Sequence, residues 1–157
     1  MTNEQNDLES IASQSVGKII FALSQLEFNL NLCFQWLIRA ENFHTVNPLV
    51  ERLSFKSKID ALNEIIEIKF SSSPECISDF SSWTKKLDKF RVKRNSFMHG
   101  RWGFQHENKE IINVAPGMIG TKSLKETRYS VDELKTELLL IEAISKEFIS
   151  IREKWHI

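Results

Sequence analysis

The chain has 157 residues, room for one domain with a real core; 41% of them are hydrophobic and 27% charged. Its 21 basic and 21 acidic side chains cancel, which excludes an overall charge that would draw the chain to nucleic acid and leaves any basic site to local clustering. The polar, acidic opening MTNEQNDLES is unlike a secretory signal, and the isolated Cys33 and Cys76 have neither CxxC nor zinc-ligand spacing. The expectation is a cytoplasmic protein with no metal, cofactor, disulfide or membrane span.

From about Leu8 to Arg39 there is no proline and one glycine. Val16, Ile19, Leu23, Leu26, Leu30, Cys33 and Leu37 recur at spacings of three and four, the seam of a long packed helix with Cys33 as a small core residue. Thirty helical residues span about 45 Å. Gln25, Glu27, Asn29, Asn31 and Gln35 interrupt the stretch too often for a bilayer span, and Glu27 is expected to point to solvent or else to pair with one of the arginines Arg91, Arg94 and Arg101. Ile20, Phe21, Phe28, Leu32, Phe34 and Trp36 widen the apolar surface beyond one stripe, so more than one neighbour is expected, a second copy of the chain among them.

A loop holding Asn47 and Pro48 is predicted next. The segment LSFKSKIDALNEIIEIKF then reads as a shorter helix, with Ser54 as N-cap and Ile59, Leu62, Ile65 and Ile66 facing inward. Ser73 before Pro74 starts a third helix, with Ile77, Phe80, Trp83, Leu87 and Phe90 inward and Gly100 as its stop. Over residues 101–129 the pattern changes: RWGFQH and IINVA alternate loosely, ENKE can turn between them, and PGMIG breaks the chain before LKETRY. This predicts a small β-hairpin or three-stranded insertion. Ser130 and Glu133 form a capping box that opens the last helix, with Leu134, Leu138, Ile141, Ile144, Phe148 and Ile151 inward to about Trp155. The whole, residues 1–157, reads as a single mainly helical domain with a β insertion before its last helix.

The chemistry concentrates in FRVKRNSFMHGRW, residues 90–102. Six of the ten residues from Lys85 to Arg94 are basic, against one acid, Asp88. A cationic helix end complements the helix dipole, the plain structural account of such a run. Geometry adds to it, because Arg91, Asn95 and His99 follow at i, i+4 and i+8 and share a helix face. Arg94 lies about 100° of rotation from Asn95 and its long side chain reaches the same side. Histidine exchanges protons near neutral pH, and arginine holds phosphate oxygens with a fork of donors. His44, His106 and His156 have no spaced partner and read as surface residues.

Arg94, Asn95, His99 and Gly100, closing a helix in a small helical chain, resemble the R-x4-6-H motif of HEPN domains. The resemblance implies an all-α bundle of four or five helices that dimerises, and a metal-independent endoribonuclease with Arg94 and His99 as the catalytic pair and Asn95 supporting them. It also implies a toxin or phage-defence setting, with a cognate antitoxin or regulatory protein as partner. The family's toxins controlled by a nucleotidyltransferase carry a tyrosine two residues after the histidine; here Arg101 stands there, and the one tyrosine, Tyr129, is distant in sequence. The β insertion is not part of the minimal family bundle.

Metal-free RNA cleavage needs a base and an acid on opposite sides of the phosphorus, with positive charge between them. One chain offers one suitable histidine, so a two-fold dimer with His99 near its axis would complete the site. Arg91, Lys93 and Arg101 would track neighbouring RNA phosphates. Trp102 would either stack a base or pack against the protein. The alternatives are an inactive HEPN-like module that binds RNA, a nucleotide or a protein, and a purely structural helix end.

Overall fold

The computed structural model describes residues 3–115 and 125–157. In chain order these form α1 (Asn3–Leu37), α2 (Phe43–Val50), α3 (Phe55–Lys69), α4 (Pro74–His99), β1 (Arg101–Gln105), β2 (Glu110–Val114), β3 (Glu126–Tyr129) and α5 (Val131–Trp155). The protein is mostly helical with a three-stranded antiparallel sheet before its last helix, as the sequence pattern predicts. The PGMIG punctuation falls in 116–120, outside the described residues.

The helix ends follow the capping chemistry. Ser54 accepts a hydrogen bond from Ser57 N at 3.1 Å to open α3. At α5, Ser130 N donates to Glu133 Oε2 at 2.7 Å while Glu133 N donates back to Ser130 Oγ at 3.2 Å, the reciprocal box that satisfies two orphan donors. One element departs from expectation. The predicted loop around Asn47 and Pro48 is α2, capped by Asn42, whose side chain accepts from Thr45 N at 3.1 Å. In so short a helix Pro48 forfeits one hydrogen bond, and Val46 and Val50, one turn apart, are both buried.

The chain divides into two compact units, each assembled from two separate stretches. The first comprises Met1–Leu23 and Val92–Glu142. Its sheet runs β1-β2-β3, with Trp102 opposite Asn113, and with Phe104 and Tyr129 both opposite Ile111. Side chains alternate across a sheet, so Trp102, Phe104, Ile111, Asn113 and Tyr129 occupy one face, and Ile111 and Asn113 are buried there. On the other face Arg128 joins all three strands, through Gln105 at 2.6 Å, Glu110 at 2.7 Å and Glu126 at 2.8 Å.

The second unit comprises Ser24–Arg91 and Ala143–Ile157. Leu26, Leu30 and Cys33 of α1, Ile59, Leu62 and Ile66 of α3, and Phe80, Trp83 and Leu87 of α4 are its buried seams. Trp83 stacks on Phe148 with ring centroids 4.4 Å apart and donates its indole N–H to Ile144 O at 2.9 Å, so its one polar atom is satisfied inside the core. Burial pushes the Cys33 thiol up to about 12 and the Cys76 thiol to about 11; both are free and kept as unreactive neutral thiols.

Glu27 does not point to solvent. It accepts from Lys58 Nζ at 2.7 Å, and Lys58 is only 3% exposed. A buried ammonium needs a counter-charge, so an acid interrupting the face of one helix is answered by a base on the inner face of another. Glu27→Ala should lower stability by about 3 kcal/mol, near the lower end for stripping one partner from a buried pair, because the Glu27 side chain keeps 27% exposure. Urea unfolding measures this, and a paired Glu27→Leu, Lys58→Met variant should recover most of the loss.

Candidate functional site

α4 carries the Arg–Asn–His stretch to its very end, where His99 is the last helical residue. The end of the helix is fixed by polar groups on β2. Asn113, 1% exposed, donates its side-chain N–H to Ser96 O at 3.1 Å and accepts from the Ser96 hydroxyl. Gly100 N then closes the last turn onto the same Ser96 carbonyl at 2.8 Å. The chain passes so close here that a Cβ on Gly100 would lie 2.2 Å from Ser96 O and 2.5 Å from Asn113 Nδ2. Gly100 is therefore required for close approach as well as for ending the helix.

Asn95 and His99 are exposed and Arg94 is half-buried, with its Nη1 3.5 Å from Asn95 Oδ1, a long and weak contact. Val92, Asn95 and His99 stand at i, i+3 and i+7 and share a helix face. Val92 is 59% exposed, and Met98, beside His99, is 41% exposed. Uncovered apolar side chains thus stand two turns before the histidine, at Val92, and immediately before it, at Met98.

The wider basic cluster is less free than its sequence reads. Lys93 is paired with Glu137 of α5. Arg91, which falls in the second unit, donates to Asp88 at 2.7 Å, and Lys86 pairs with Glu147 at 2.8 Å. The Arg91 guanidinium holds the Asp88 carboxyl below its ordinary value. Of the expected phosphate-tracking cations, Arg101 alone remains exposed with no acid described at its side chain. Trp102 packs: its ring stacks on Phe97 at 5.5 Å, and its indole N–H donates to Phe97 O at 3.3 Å.

Tyr129, remote in sequence, is close in space, 5.9 Å from the Phe97 ring and 6.2 Å from Trp102. Burial, then Glu137 and Glu133, raise its phenol above the ordinary value of 10.0. Ser96, Asn113 and Glu137 are the site-supporting residues that the sequence reading missed. Asn113 had a signal, since it shares a strand face with Ile111 and is a polar residue at an inward position. Among the described residues no group of three His, Cys, Asp or Glu side chains is placed to hold a metal ion, and no helix is long and apolar enough to cross a membrane. Comparison with protein-family models, with curated proteins and with solved structures finds no match to any of them.

Two outcomes test this geometry. Gly100→Ala should destabilise the protein by at least about 2 kcal/mol, in the range for forcing atoms into a packed site, with loss of amide protection concentrated at Ser96–Trp102. Because the chain has one tyrosine, its alkaline absorbance change reports Tyr129 alone, and Glu137→Gln should bring that transition down in pH. A phenol raised in the folded state supports folding fully below pH 10.0 and loses that support as pH rises through the folded value.

Proposed function

We infer that the protein is a HEPN-type, metal-independent endoribonuclease that works as a homodimer with a site shared between two copies. The observation that carries the reading is the display of His99 at the fixed end of α4, with Arg94 and Asn95 within five residues before it and Val92 and Met98 uncovered on the same last two turns. Apolar side chains exposed around a proton-transfer group are what a two-fold contact would cover, and such a contact sets one imidazole against its copy. One His99 takes the 2′-hydroxyl proton as the 2′-oxygen attacks phosphorus. The other gives a proton to the departing 5′-oxygen, so the products are a 2′,3′-cyclic phosphate and a 5′-hydroxyl. Arg94 from each copy stabilises the charge gathering on the phosphorane oxygens, and Asn95 orients imidazole or phosphate by hydrogen bonding. A toxin or phage-defence role, with an antitoxin or other regulator as partner, belongs to this same reading.

The runner-up is an inactive HEPN-like module that binds RNA, a nucleotide or a protein. The neutralisation of Arg91 and Lys93 by Asp88 and Glu137 favours it, since a long RNA track needs uncompensated cations. Labelled RNA in EDTA decides between them. The wild type should cut to cyclic-phosphate ends, and His99→Ala should lose about 10²–10⁴ in rate with its melting temperature unchanged. Val92→Glu combined with Met98→Glu should give a folded monomer by light scattering, with cutting equally lost. RNA bound but left whole by the wild type would select the module, and undiminished cutting by His99→Ala would remove this site from the chemistry.

A further inference from the structure

In the second unit a cavity of about 590 Å³ is lined by Trp36, Arg39, Lys69, Phe70, His156 and Ile157, within the usual size of small-ligand sites, about 300–1,000 Å³. Its three basic side chains come from the ends of three helices. Arg39 follows α1, Lys69 closes α3, and His156 follows α5. All three are exposed, and among the described residues none has an ion-pair partner. This separates them from Lys58, Lys86, Arg91, Lys93, Arg128 and Lys154, each of which is held by a carboxylate.

Helix dipoles account for part of the pattern, since a cation near a C-terminus gains about 0.3–1 kcal/mol. Lys69, in the last turn of α3, fits that account. It does not explain why three separate helix ends bring their cations to one cavity, or why Trp36, 66% exposed, stands at the same place. The carbonyls at these ends are also partly used: Phe70 N takes Ile66 O at 2.9 Å, Ala40 N takes Gln35 O at 3.0 Å, and Ile157 N takes Arg152 O at 3.1 Å. The oxygen of Ile157 itself accepts from Arg152 at 2.8 Å.

We propose that this cavity binds a terminal nucleotide, its phosphate held by Arg39 and Lys69 and its base stacked on Trp36. A guanidinium fork and an ammonium match phosphate oxygens, and a base stacked on an aromatic ring contributes about 1–3 kcal/mol. The same chemistry arrives on a free nucleotide or on the phosphorylated end of an RNA strand. The site shares no residue with the one around His99 and does not rest on the nuclease reading.

Titration calorimetry on the full chain tests it, with AMP, inorganic phosphate, and a short RNA with and without a 5′-phosphate as probes. AMP should bind, and Arg39→Gln with Lys69→Gln should weaken it at least tenfold. Trp36→Ala should weaken AMP while leaving phosphate binding as it was, and His99→Ala should change neither. Tight binding only of the 5′-phosphorylated RNA, lost in the double variant, assigns the RNA end as the source; AMP binding alone assigns the free nucleotide. Since Arg39 and Lys69 have no described partners to lose, an unchanged melting temperature excludes misfolding. Absence of binding by AMP and by both RNAs, or affinities indifferent to the double variant, overturns the proposal.

Discussion

The close passage of the chain at Gly100 is the constraint on which the candidate site depends. Ser96 O accepts both from Gly100 N and from the side chain of a buried asparagine. A buried amide without partners would be strongly destabilising, so Asn113 and the last turn of α4 hold each other in place. The strand that follows leaves the helix at a fixed point, and His99 is displayed by main-chain hydrogen bonding with no need for contacts of its own imidazole. An exposed imidazole placed in this way makes no described hydrogen bond through either ring nitrogen. That property suits proton exchange better than a histidine locked into a core network would.

Charge placement separates the basic residues into two populations. A run of six cations in ten residues looks like a continuous phosphate track, yet acids remote in sequence answer much of it: Glu137 and Glu147 of α5 pair with Lys93 and Lys86. Exposed pairs of this kind add little stability, about 0–1 kcal/mol each, but they lower the local potential that a polyanion would meet. Among the described residues the cations around Trp36 have no such answer. Net charge over the chain is silent on this distinction, because it is a matter of which acid stands beside which base.

Local chemistry was the legible part of the fold. Caps at Ser54 and Ser130, the proline start at Pro74 and the stop at Gly100 depend on neighbours a few residues away, and the sequence pattern located each. The long seam of α1 and the alternation in β1 and β2 were legible for the same reason. Two readings failed where the deciding partner is far along the chain or where one residue type serves two uses. Pro48 is a breaker in most settings, but the Asn42 cap and the buried Val46 and Val50 carry a short helix through it. Glu27 looked solvated because the sequence has no basic residue within a turn of it; Lys58, which pairs with it, is 31 residues away. Tyr129, distant in sequence, reaches the aromatic cluster through strand pairing, which helical spacing does not reveal. Arg94, Asn95 and His99 were legible as a helical stripe, whereas their support by Ser96 and Asn113 was not.

Each compact unit draws on an early and a late stretch of the chain, and this has a consequence for synthesis. The unit holding α2 and α3 lacks Ile144 and Phe148 until its last fifteen residues have left the ribosome, so Trp83 waits with its indole N–H and one ring face unmatched. Contacts of such long sequence separation form slowly, and apolar surface that stays open during elongation invites association. Nascent chains of this protein should therefore be clients of holding chaperones until α5 has emerged, with maturation set by the arrival of that helix and not by the speed at which the individual helices form.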